Sequence, residues 1–146
     1  MTNEQVLLVQ QTFAKVAPIA DQAAALFYKR LFEMDPSAKA LFKIDMTEQG
    51  RKLMQMIGIA VAGLSNPETI RQAGADLGVR HVSYGVTVVQ YDTVGAALLW
   101  TLGQGLGPAF TKDVEEAWTE AYTLLANIMK QAAAKKQEAS SRINAT

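Results

Sequence analysis

The stretch PETIRQAGADLGVRHVSYGV, residues 67–86, decides how this chain is read. Asn66 just before it can cap a helix, and Pro67 fits a first helical position. Gly85 suits a left-handed stop. Between them lies His81, the only histidine in 146 residues. Counting back by three, four and seven gives Gly78, Leu77 and Gly74, which share its face. A glycine inside a helix costs about 1 kcal/mol relative to alanine. Two of them on the histidine face mark a close approach, either of a flat prosthetic group or of another helix. A single imidazole excludes chemistry that needs a histidine pair. It leaves open a use that needs only one: holding a haem iron from one side.

The rest of the chain repeats its apolar residues at helical spacing. Val6, Val9, Phe13 and Val16 predict a first helix with Thr2 as its cap, interrupted at Pro18. A second helix is expected from about Ile19 to Met34, and Pro36 opens a short helical turn through Phe42. After a loop over residues 43–47, Thr47 is the expected cap of a helix reaching about Leu64. That helix is apolar on two sides, with Leu53, Met56 and Ala60 on one and Met54, Ile57, Val61 and Leu64 on the other. It must pack against more than one surface. Tyr91, Val94, Leu98 and Leu102 mark the helix after the His81 helix, ending in the glycines of residues 103–107. Thr111 caps the last helix, carrying Val114, Trp118, Ala121, Leu125 and Ile128. From Lys135 the sequence turns polar, so residues 1–134 are expected to form one domain and residues 135–146 a frayed tail. Val86 to Val89 is β-branched but too short to argue for a strand. The expected architecture is all-α, with six or seven helices.

Composition narrows the function. Lys+Arg and Asp+Glu are 14 each, a formal net charge of zero, which argues against nucleic acid as a partner. The absence of cysteine removes disulfides, iron–sulfur clusters, thiolate zinc sites and thioether-linked haem. The stretch from Met54 to Leu64 is too short to span a bilayer, and the N-terminus shows no secretory pattern. A cytoplasmic protein with no membrane association is expected.

Three further residues stand out. Gln49 leads the otherwise apolar face of Leu53, four residues on; it is either an exposed first-turn residue or a polar group aimed into a pocket. Tyr28 lies mid-helix between Phe27 and Leu31, and its hydroxyl needs a partner, by default a backbone carbonyl. Phe42 is most simply a core aromatic.

Taken together, these residues resemble a known family. They are the run Phe27-Tyr28-Lys29-Arg30-Leu31-Phe32, then Pro36, Leu41-Phe42, Gln49 to Met54, Arg80 to Val86, Tyr91, Val94-Gly95, Ala117-Trp118 and Ala121-Tyr122. In that order and spacing the chain is similar to bacterial single-domain globins, to the haem domain of flavohaemoglobins and to neuroglobin-like bacterial globins. The resemblance covers about residues 3–133. It implies a globin fold enclosing one non-covalent haem b, with His81 as the proximal iron ligand. It also implies Phe42 stacked on the haem, Tyr28 and Gln49 as distal donors to bound ligand, and Leu53 over that ligand. Lys52 and Arg80 match propionate-pairing positions. Tyr84, Val86, Tyr91 and Val94 match further positions around the haem, Tyr91 on its proximal side.

One departure matters. Flavohaemoglobins support the proximal histidine with a tyrosine and a glutamate of the last helix. Aligned on Trp118 and Tyr122, the glutamate position falls on Ala133 here. The reductase that follows in flavohaemoglobins is also expected to be lacking. The first expectation is therefore a bacterial haemoglobin for oxygen binding or transport that also takes nitric oxide and carbon monoxide. The alternatives are a nitric oxide dioxygenase served by a separate reductase, and a cofactor-free helical interaction module.

Overall fold

The computed structural model describes the backbone of residues 1–42, 45–84 and 86–145, and side chains to residue 138 except those of residues 83 and 84. Six α-helices appear among the described residues: α1 (Asn3–Val16), α2 (Ala20–Met34), α3 (Met46–Gly63), α4 (Pro67–Tyr84), α5 (Val88–Leu106) and α6 (Lys112–Ala145). Short 3-10 turns at Ala17–Ile19, Pro36–Leu41 and Gly107–Ala109 join them. The chain has the globin fold.

Side-chain chemistry sets the helix boundaries. Thr2 and Gln5 form a reciprocal capping box at the start of α1. Pro18 forces the first break. Asp35 accepts from the Ser37 N–H at 3.1 Å and opens the turn that delivers Phe42. The cap of α3 is Asp45 and not the expected Thr47, whose own N–H donates to Asp45 Oδ1 at 2.9 Å. Both residue types cap well; the upstream carboxylate starts the helix first. Thr87 and Gln90 make a second capping box at α5. That helix runs through Gly103 and Gly105 before Gly107 stops it with φ 54°. Thr111 caps α6, accepting from the Val114 N–H at 3.3 Å. The helix continues to Ala145, through the polar run expected to fray. Alanine, lysine, glutamine and glutamate are all strong helix formers.

The main core joins α1, α3, α5 and α6 through Val9, Val16, Val61, Leu102, Val114, Ala117 and Trp118. Each such large apolar side chain contributes about 1.5–3 kcal/mol on full burial. The Trp118 indole N–H donates to Thr12 Oγ1 at 2.8 Å, and the Thr12 hydroxyl donates in turn to the Leu8 carbonyl at 2.6 Å, so the buried polar atoms are paired. Two smaller apolar clusters lie apart from this core, and α3 serves all three. Met54, Ile57 and Leu64 pack on the main core, while Leu53 and Met56 go to the smaller clusters. This is the two-sided packing that the pattern of α3 demands. No described helix is long and apolar enough to cross a membrane.

Candidate functional site

His81 lies near the end of α4, half-buried, with Nδ1 2.7 Å from the Leu77 carbonyl oxygen. A carbonyl only accepts, so Nδ1 carries the hydrogen and Nε2 the lone pair. Burial pushes the imidazole below its usual range, partly opposed by the Leu77 bond. The ring is therefore neutral at pH 7, the form and tautomer a metal ion requires of an imidazole.

Around it packs the first of the smaller clusters: Leu77, Tyr91, Ala126 and Met129, joined by Met56, Val86, Tyr122 and Leu125. The His81 and Tyr91 ring centroids are 6.1 Å apart. The Tyr91 hydroxyl is buried and has no hydrogen-bond partner among the described residues. Tyr122 donates its hydroxyl to the Tyr91 backbone carbonyl. Lys130 Nζ lies 5.7 Å from the Tyr91 ring centroid and 3.8 Å from Asp92. Lys130 thus lies over the Tyr91 ring while it pairs with the neighbouring Asp92 carboxylate.

The two glycines on the histidine face are there for a helix. A methyl group at Gly78 would overlap the Met129 carbonyl, and one at Gly74 would sit 2.8 Å from Ile128 Cγ2. Backbone-to-backbone approach of α4 and α6 is what fixes His81 against the last helix. Contacts advance together along both helices, from Gly74 with Leu125 and Ile128 to Gly78 with Met129.

The second cluster gathers Phe27, Tyr28, Leu31, Ala38 and Ala97, with Phe32, Phe42, Met46, Leu53 and Val94 against it. Tyr28 is 6% exposed. Its hydroxyl partner is a side chain and not the expected carbonyl: Gln49 Nε2 donates to Tyr28 Oη at 3.3 Å. The phenol oxygen serves as acceptor, so its own hydrogen is kept for another partner. Burial raises the Tyr28 pKa, with the Gln49 bond opposing, and the group stays a neutral donor at pH 7. Phe42 stands edge-on to Tyr28 with centroids 5.2 Å apart. Phe32 closes the aromatic set, 5.7 Å from Phe42.

The two clusters meet within single helical turns. On α3, Leu53 belongs to the Tyr28 cluster and Met56 to the His81 cluster. On α5, Val94 and Tyr91 divide in the same way. A haem fits this arrangement: apolar walls from two clusters, a neutral imidazole of the required tautomer on one side, and a phenol–amide pair on the other. Of the remaining expected residues, Val86 packs beside Tyr91, and its N–H donates to the His81 carbonyl at 3.1 Å. Lys52 is exposed and 3.9 Å from Glu48, and Arg80 is exposed. The side chain of Tyr84 and all of Gly85 lie outside the described residues. Met46, Met56, Leu77 and Tyr122 escaped the sequence reading as site residues. Leu77, four residues before the lone histidine, was the legible one.

Comparison with known proteins bears on the family. The family profile described as Globin matches residues 25–129. A flavohemoprotein of Rhizobium meliloti (strain 1021) is 35% identical over 106 residues, which is 70% of this chain and 26% of the relative. One from Xylella fastidiosa (strain Temecula1) is 32% identical over 128 residues, 86% of this chain and 32% of the relative. A neuroglobin of Danio rerio is 30% identical over 127 residues, 77% of this chain and 80% of the relative. The chain thus spans about a third or less of these two flavohemoproteins and most of the neuroglobin.

Proposed function

The chain belongs to the globin family, and on that premise we propose that it is a haem b protein that binds oxygen reversibly. Haem b would supply an iron that takes a diatomic ligand: oxygen, nitric oxide or carbon monoxide. His81 is the proximal donor through Nε2, kept in register by the Leu77 carbonyl. Phe42, Leu53, Val86 and Val94 supply apolar walls, and Tyr84 is assigned to the same pocket from the family resemblance. Lys52 and Arg80 provide the exposed positive charge for the propionates.

On the distal side Tyr28 is the donor to the ligand, and Gln49 acts through it. The amide holds the phenol oxygen, which leaves the phenol hydrogen to be donated. In a dry pocket such a bond contributes on the order of 1 kcal/mol or more. The chain's only histidine is used on the proximal side, so no second imidazole can close the distal side.

Binding is favoured over turnover by one observation: the Tyr91 hydroxyl beside His81 is buried without a partner among the described residues. By the family resemblance the proximal glutamate position falls on Ala133, so the carboxylate that would make His81 more basic is replaced there by a methyl group. The alternative, nitric oxide dioxygenase activity with a separate reductase, would have to proceed without that support.

The test is optical. The reduced protein should change spectrum on exposure to air and return under argon, over repeated cycles and without added reductant. Oxidation at first exposure would reject reversible binding. Sustained nitrate production from nitric oxide with a generic reductase would favour the dioxygenase.

A further inference from the structure

We propose that the outer face of α2 and α5 is a self-complementary surface that pairs this chain with a second copy of itself. The two helices run antiparallel. Arg30 of α2 lies over Trp100 of α5, with its guanidinium carbon 5.2 Å from the ring centroid. Asp35, just past α2, accepts from Gln90 near the start of α5 at 3.4 Å. Their outward residues fall in two parallel stripes at helical spacing: Leu26, Arg30, Glu33 and Met34 on α2, and Val89, Thr93, Ala96 and Trp100 on α5.

Two observations single out this face. It leaves large apolar side chains in water, with Leu26 36%, Met34 40% and Val89 73% exposed. At its centre is a tryptophan stacked with an arginine, and tryptophan, arginine and methionine are enriched where proteins meet.

Charge identifies the occupant. A two-fold contact uses the same patch on both partners, so the patch must complement itself. Arg30 and Glu33 stand side by side on it, 3.7 Å apart. A half-turn about an axis between them sets the Arg30 of one copy against Glu33 of the other, twice. The formal net charge is zero, so copies approach without long-range repulsion. A strongly charged partner would call for one sign on the face, and the face carries both.

The test is sedimentation velocity of the full chain over a wide concentration range. Expected is a species of twice the chain mass that grows with concentration. Arg30→Glu, which sets like charges against one another, should abolish it. The double swap Arg30→Glu with Glu33→Arg should restore it. Val89→Lys gives a second, fold-neutral probe, since Val89 has no part in the core, and should also abolish the dimer. A single-copy mass at every concentration would overturn the proposal and leave the face to a different protein. A dimer that persists in Val89→Lys, or that the swap fails to restore in a folded protein, would overturn it too.

Discussion

Replacing Tyr28 by phenylalanine removes one oxygen atom and tests the distal assignment. The ring stays, so the packing against Phe27, Phe32 and Phe42 is kept. What goes is a buried donor and the acceptor for Gln49 Nε2 at 3.3 Å. Gln49 is half-buried, so its freed amide can turn to water and adds little penalty. The measured loss is therefore the bond from Tyr28 to the ligand. A value of about 1.4 kcal/mol is a factor of ten in the oxygen dissociation rate. Gln49→Leu should do less, because it loosens the phenol without removing its hydrogen. If Gln49 acts through Tyr28, the two changes are not additive, and the double variant should release oxygen no faster than Tyr28→Phe alone. Stopped-flow oxygen dissociation on the four proteins reads all of this. A larger effect from Gln49→Leu than from Tyr28→Phe, or simple additivity, would refute the relay and make Gln49 an independent donor.

Gly78→Ala gains helix propensity of about 1 kcal/mol but drives a methyl into the Met129 carbonyl. Overpacking of this kind costs typically 1–3 kcal/mol or more, so a lower urea midpoint and faster haem loss are expected; an unchanged midpoint would mean that α4 and α6 are not in backbone contact. Ala133→Glu puts a carboxylate at the position that the family resemblance assigns to the proximal glutamate. It should raise the iron–imidazole stretching frequency and lower the ferric reduction potential; no shift in either would place Ala133 away from His81. Tyr28, Tyr91 and Tyr122 all have raised pKa values from burial. The unfolded chain ionises its tyrosines near pH 10 while the folded chain keeps its protons. Stability is thus unaffected below about pH 10 and falls as pH rises beyond it. Phenolate absorbance of these three residues should grow only along with unfolding.

The fold was legible because its signals are local. Proline breaks, the Thr2 and Thr111 caps and the two-sided pattern of α3 each act within one or two turns, and each produced the element it predicts. The errors came where two local signals competed. Asp45 and Thr47 both cap, and sequence does not rank them without the chain's direction of approach. The β-branched run from Val86 to Val89 obscured Thr87 and Gln90, whose spacing is that of a capping box. Glycines 103 and 105 look like a stop, yet packing of α5 carries the helix across them to Gly107.

The candidate site was half legible. His81 stood out by being alone, and Tyr28 and Gln49 through the family pattern. What faces Gly74 and Gly78 was not legible, because a close approach does not name its partner; α6 supplies it. Nor was the bond between Gln49 and Tyr28, which joins residues 21 apart in sequence. Such a contact depends on how α2 and α3 cross.

The most direct test of His81 as the iron ligand is the iron–imidazole stretching band in the resonance Raman spectrum of the ferrous protein with haem added. A single band in the wild type, absent from His81→Gly and restored by free imidazole, is the expected result. A protein that takes up no haem, or a band that survives His81→Gly, would contradict it.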